Sequence, residues 1–390
     1  MIPARRQFGC ALCAAAFFAA ARLSPARAAE KAFLEPGYRP PPGSDEKGLW
    51  SLIDRTEREI KTSRFTVRDA DLNAYLRDIT CRLGKDYCPD VRVYLIRTAQ
   101  FNAGMYPNGM MEVWTGLLLR CSDEAQLAAI IGHELGHYLR RHTISRWRDA
   151  RSKADLSAFL GIGLAVAGLG VASVATDMLL LASMFAFSRE QEREADEIGM
   201  DLMSRAGYAP AAAAEVWTQL IAELKAGTGE QSKQFFFATH PAPEDRMAAL
   251  RKAAESRGAT SGEHARERYL EKLSGVRGRL IGDELALRQY GRSEVVFDRL
   301  LAQSPEDGAL WYAKGEVYRL RAGQGDSERA RQAYDKALQT ATAPPETYRS
   351  LMLIELKDGA RDRAQAALDQ YLARKPDAAD AESLRMLLSQ

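Results

Sequence analysis

The sequence predicts a mainly α-helical chain: a helical domain with a small β element, followed by an α-helical array of tetratricopeptide-like repeats. Three observations carry this expectation. Ser122 to Ile131 is rich in strong helix formers and leads into the pattern His133-Glu134-Leu135-Gly136-His137. Gly109 to Trp114 reads as a single short strand, so little sheet is expected. Beyond residue 260, alanine-rich helical segments recur at a fixed interval.

Residues 1–29 carry Arg5 and Arg6, then the apolar run Gly9 to Ala21, then Ala26-Arg27-Ala28, which is the layout of a cleaved secretory signal peptide. Arg5-Arg6-Gln7-Phe8 hints at twin-arginine export. The apolar run is too short to span a bilayer, and Cys10 and Cys13 precede or interrupt it rather than end it, which argues against a lipid anchor. The expected location is therefore the periplasm. Without the four arginines of this segment, 50 Lys and Arg face 52 acids, a balance that offers nothing to nucleic acid. In an exported chain a Cys81–Cys88 disulfide is a reasonable expectation, with Cys121 buried and free.

A Pro-rich leader covers residues 30–48, marked by Glu35 to Gly43. The helical domain is expected over residues 49–262 and the repeats over 263–390, and a mature length of about 360 residues suits two domains. Within the first domain, Ser122 is placed to cap a helix whose first turn holds Asp123 and Glu124. On that helix His133 and His137 lie about 40° apart and project from one face, with Glu134 beside them. Two imidazoles and a carboxylate at this spacing are the ligands and general base of a zinc-peptidase helix.

A catalytic zinc commonly takes three protein ligands. Ser188 to Asp196 supplies the third as Glu192, and Asp196, one turn on, is placed to accept the free ring N–H of His133 and fix its tautomer. His142 stands five residues after His137, some 140° around a continuous helix, and cannot share the metal unless the helix breaks.

These residues resemble the zinc metallopeptidases of the CAAX prenyl protease, HtpX and BepA type, peptidase family M48. The likeness rests on Gly132 to His142, on the Glu192 to Asp196 helix, on Asn102-Ala103 followed by Met111 to Leu119, and on Thr239-His240-Pro241 through Arg246. It implies one zinc held by His133, His137 and Glu192, Glu134 as general base, and Asp196 as the orienting carboxylate. It also implies a role for His240 near the active site, either stabilising the tetrahedral intermediate or gating the metal as a fourth ligand. In such peptidases a strand like Met111-Glu112-Val113 pairs with extended substrate backbone. Backbone pairing reads little sequence, so unfolded or flexible segments are the expected substrates.

Leu156 to Phe187 opens with 21 uncharged residues and resembles a membrane span. One crossing, however, would put His133 and Glu192 on opposite sides of the bilayer, and 32 residues with Asp177 among them are too few for two crossings. A helical hairpin near the cleft is expected instead, a lid either buried or resting on the membrane surface.

In the last third, Ala330, Ala333, Tyr334, Ala337 and Leu338 recur as Ala364, Ala367, Leu368, Tyr371 and Leu372, 34 residues on, with an earlier unit at Val296 to Leu301. The resemblance implies a periplasmic zinc metalloendopeptidase acting on unfolded or misassembled envelope proteins, with an assembly-machinery partner bound through the repeats. The alternative is a chaperone or scaffold that works through the repeats and keeps its peptidase site mostly closed.

Overall fold

The structure is a computed structural model that describes residues 33–152, 187–227, 240 and 243–389. The expected signal peptide and, apart from Phe187, the expected hairpin at 156–187 lie outside the described residues. Residues 33–390 form one compact unit.

The Pro-rich segment lies on the body: Leu34 N–H donates to Leu139 O at 2.8 Å and Gly37 N–H to Asp90 Oδ2 at 2.6 Å. It leads into α1 (Asp45–Thr62), capped by Ser44, and α2 (Ala70–Gly84), capped by Asp69. A Cys81–Cys88 disulfide closes the end of α2, and Cys121 is free and buried. Three strands follow, β1 (Arg92–Ile96), β2 (Ala103–Met105) and β3 (Met110–Trp114), in the order β1-β3-β2. β3 runs parallel to β1 and antiparallel to β2, with Glu112 paired to Tyr94 on one side and Gly104 on the other.

Every residue of β3 is buried because both faces of the sheet are covered. Met111 and Val113 face the main core, while Met110 and Trp114 face a second cluster with Leu49, Ile53, Trp147 and Phe187. This position corrects the expectation that Met111, Glu112 and Val113 pair with substrate. Both sides of the β3 backbone are already bonded to β1 and β2, and among the described residues no further strand pairs with β2.

After α3 (Thr115–Arg120), helix α4 (Glu124–Leu139) carries the His-Glu-x-x-His pattern. Its cap is Asp123 rather than Ser122: Asp123 Oδ1 accepts the Gln126 N–H at 2.8 Å, while the Ser122 N–H donates to Gln126 Oε1. α4 stops at Leu139, Arg141 turns the chain with φ 56°, and His142 opens α5 (His142–Ser152). The helix thus does break before His142. The chain continues as α6 (Arg189–Arg205), started by a Ser188–Gln191 capping box, then α7 (Ala211–Ala226) and α8 (Pro243–Ser256).

The remainder is helical: α9 (Arg266–Leu273), α10 (Arg277–Ala286), α11 (Tyr290–Gln303), α12 (Gly308–Arg321), α13 (Asp326–Leu338), α14 (Glu346–Lys357), α15 (Arg361–Arg374) and α16 (Ala381–Ser389). Ala330, Ala333, Tyr334 and Ala337 are buried on α13, as are Ala364, Leu368 and Tyr371 on α15. The main core runs without a break across residue 262, since Leu280, Val296, Phe297, Leu300 and Leu310 share one cluster with Leu127 and Trp217. An ion cluster reinforces the junction. Arg120 Nε donates to Glu223 at 2.7 Å and its Nη2 to Glu284 at 2.8 Å, all three side chains being essentially inaccessible. The chain is mainly α with one small sheet, and no helix among the described residues is long and apolar enough to cross a membrane.

Candidate metal centre

The site forms where α4 and α6 cross with almost no side chain between them. A Cβ on Gly136 would stand 2.8 Å from Ala195 O, one on Gly132 3.0 Å from Gly199 O, and one on Gly199 2.7 Å from His133 N. Glycine at these three positions lets the backbones touch, which brings the first turn of α6 up to the histidines of α4.

His133 Nε2 and His137 Nε2 lie 3.1 Å apart, and Glu192 Oε1 is 3.5 Å from the latter. The fourth member is His240, whose Nδ1 is 3.3 Å from His133 Nε2 and 3.0 Å from Glu192 Oε1. All four residues are buried, and their ligand atoms lie within 4.8 Å of one another. Zinc–ligand bonds of 2.0–2.1 Å in a tetrahedron place neighbouring donors roughly 3.3 Å apart. The donor set and its spacing therefore fit a divalent metal ion.

The surroundings fix each donor. Asp196 Oδ1 is 2.9 Å from His133 Nδ1. His142 is outside the donor group but close to it: its Nδ1 is 2.9 Å from His137 Nδ1, and its Nε2 is 2.9 Å from Glu194 Oε2. Phe187 stacks on the His137 ring at 3.8 Å. Arg246 clamps both acids of α6, with Nη1 2.5 Å from Glu192 Oε2 and a two-pronged contact to Asp196 at 2.6 and 2.8 Å, while its guanidinium lies 4.0 Å from the centre of the Trp217 ring.

Charge follows from this arrangement. Burial opposes ionisation of Glu192, but His240, His137 and Arg246 outweigh it and hold the carboxyl well below its usual range. Burial keeps His137 neutral, the form a metal ligand needs. Burial also raises the Glu134 carboxyl, against the pull of His240 and His133. Glu134 Oε1 has no hydrogen-bond partner among the described residues and lies 3.6 Å from His240 Nε2. The Met105 backbone N–H bonds to the same carboxylate, which ties Glu134 to the outer edge of β2.

The structure thus brings His133, His137, Glu192, Glu134, Asp196 and His240 together and leaves the Met111 to Val113 backbone inside the sheet. Sequence reasoning assigns no role to Arg246, Trp217, Glu194 or Phe187. Arg246 is within its reach, since an arginine one and a half turns after a His-Pro pair at the start of a helix is a candidate partner for Glu192 and Asp196. Trp217 and Glu194 carry no local signal.

Residues 66–254 match the model of peptidase family M48. The beta-barrel assembly-enhancing protease of Escherichia coli K12 is 26% identical over 297 residues, covering 73% of this chain and 56% of that protein. Mitochondrial metalloendopeptidases of Schizosaccharomyces pombe and Saccharomyces cerevisiae are 33% and 32% identical over 157 and 159 residues, each match covering 40% of this chain and 44% of the relative. The chain spans about half the length of the curated relatives it matches. With three donors on two glycine-crossed helices and the fourth, His240, from outside them, all inside the matched region, residues 66–254 carry a peptidase family M48 domain.

Proposed function

We propose that the protein is a zinc-dependent metalloendopeptidase, exported to the periplasm, that hydrolyses peptide bonds of unfolded or misassembled envelope proteins. The observation that carries this reading is the convergence of His133, His137 and Glu192 beside a Glu134 Oε1 that accepts no hydrogen bond among the described residues. A divalent ion held there supplies Lewis acidity, polarising a carbonyl and lowering the pKa of a water to about 7. Glu134 accepts the water proton on Oε1 and returns it to the leaving amine. Asp196 and His142 hold the rings of His133 and His137, His240, His137 and Arg246 keep Glu192 ionised, and Arg246 with His133 does the same for Asp196. Substrate backbone pairs with the outward edge of β2, next to Glu134, which makes selection depend on an unfolded strand. The tetratricopeptide-like helices α11 to α16 hold an assembly-machinery partner.

The position of His240 favours a gated resting site. Its Nδ1 stands among the donors and its Nε2 faces the base, so this ring must swing away before a carbonyl can enter.

The test uses purified full-length mature protein and an unfolded protein substrate. Cleavage that stops with a chelator and returns with zinc, together with a Glu134→Gln variant that holds one zinc per chain but does not cleave, is the expected result. Unchanged cleavage by Glu134→Gln would overturn Glu134 as the base, and a cellular role that survives this substitution would instead favour the scaffold reading.

A further inference from the structure

The middle strand, excluded from backbone pairing with substrate, still presents one side chain that the proposed mechanism does not use. Glu112 is 3% exposed and sits on the β3 face that carries Met110 and Trp114. Trp114 Nε1 lies 3.4 Å from its Oε2, and Tyr106 hydrogen-bonds to the carboxylate as well. Oε1 is buried with no partner among the described residues. An unpaired carboxylate oxygen in an apolar setting is costly, and burial lifts the Glu112 carboxyl to about 7 despite Trp114 and Tyr106. Tyr106 also feels the charge of Glu134, so the phenol that bonds Glu112 neighbours the proposed base as well.

Its cross-strand neighbour on β2 is Gly104. Nothing in the backbone calls for glycine there, since Gly104 is not in the left-handed region, and a glycine inside a strand weakens it. A Cβ at this position would meet nothing within 4 Å among the described residues. Glycine in a strand interior commonly marks the close approach of a ligand. Here it leaves a space open at Gly104 on the face that carries Glu112, where a lane from the outer edge of β2 would begin.

We propose that Glu112 is the end of a substrate pocket that accepts a lysine or arginine side chain, reached across Gly104 from a peptide lying on the edge of β2. This rests on the reading that substrate pairs with β2. A residue of such a peptide opposite Gly104 is two strand spacings from Glu112, about 10 Å between backbones, and its side chain leaves on the same face. Lysine and arginine carry their charge on stems of three or four carbons and, with the reach of glutamate added, close that distance. The apolar walls formed by Tyr106 and Trp114 take the stem, and the free oxygen takes the cation in a charge-assisted hydrogen bond. A neutral side chain leaves the carboxylate unpaired, and an acidic one meets like charge.

The experiment measures kcat/KM of the zinc-loaded full-length protein on peptides that differ only in bearing lysine, arginine, norleucine or glutamate at each position flanking the scissile bond. The expected result is a lysine and arginine preference at one position, with the lysine-to-norleucine ratio falling at least about tenfold in Glu112→Gln. A second variant, Gly104→Val, keeps the carboxylate, fills the lane with a good strand former and is expected to lose the same ratio. Circular dichroism and zinc content check that each variant is folded. Cleavage without a cationic preference, or a preference unchanged in Glu112→Gln, overturns the pocket alone. No cleavage of any peptide by the wild type overturns the peptidase reading and the pocket with it.

Discussion

The crossing of α4 and α6 sets how far Glu192 stands from the histidines, so Gly199→Ala is the sharpest test of how the site is built. The new methyl carbon would sit 2.7 Å from His133 N, 2.8 Å from Gly132 C and 3.0 Å from His133 Cα. Non-bonded contacts settle at about 3.5 Å or more, so α6 must retreat by about 0.8 Å. Backbone lies on both sides, and no side chain can turn aside to absorb the change. Gly199 is seven residues from Glu192, two turns along the same face, so the displacement reaches the ligand undiminished. Metal–ligand bonds tolerate about 0.2 Å, and the expected loss in zinc affinity is about 10- to 100-fold or more, comparable to or larger than losing an orienting partner. The metal-free protein should also lose about 1–3 kcal/mol from overpacking. Chelator competition gives the first quantity and denaturant unfolding in EDTA the second. Gly48→Ala, at an exposed helical glycine whose Cβ would meet nothing, serves as the control and should be neutral or stabilising. Wild-type zinc affinity in Gly199→Ala would refute the claim that glycine-to-backbone contact positions the third ligand.

Further outcomes follow from other contacts. Arg246→Ala leaves Glu192 and Asp196 buried without their cation, and chelator competition should show zinc affinity reduced about 10- to 100-fold. His240→Ala should raise the initial rate on an unfolded substrate if its ring gates the site, whereas a role in stabilising the transition state would lower kcat instead. Burial would raise the Glu57 carboxyl, but hydrogen bonds from Arg92 and Tyr94 hold it at about 2 rather than 4.5. A depressed carboxyl stabilises the fold fully above its unfolded pKa and loses that contribution as the pH falls from 4.5 towards 2. Acid unfolding of Glu57→Gln should therefore lack about 3 kcal/mol of pH-dependent stability in that window. Truncation after residue 262 strips Glu284 from Arg120 and uncovers Trp217 and Leu127 in the shared core, so the shortened chain should be insoluble on expression. A soluble, zinc-binding fragment would show that the core does not depend on the repeats.

Much of the site is legible in the sequence because its chemistry is local. His133, Glu134 and His137 lie within two turns of one helix, and the i,i+4 rule alone puts both imidazoles on one face. Glu192 and Asp196 repeat the device on α6. The break after Leu139 is not legible: no proline or glycine stands between Leu139 and His142, and Arg141 takes the left-handed conformation that brings His142 back against His137. The cap lies one residue later than expected because Asp123 takes the Gln126 N–H while the Ser122 hydroxyl accepts from the distant Gln219 and Gln303 side chains, which no local pattern reveals.

The sequence by itself determined the helical class, the repeat spacing and the candidate metal-binding and base residues, because each depends on short-range periodicity or on the chemistry of single side chains. Only the tertiary structure decided that β3 is central and β2 the edge, that His240 stands among the donors, that Arg246 clamps the acids of α6, and that the repeats share a core with the peptidase domain. These depend on contacts between residues far apart in the chain, and strand order, helix crossing distance and burial are not encoded in any local pattern.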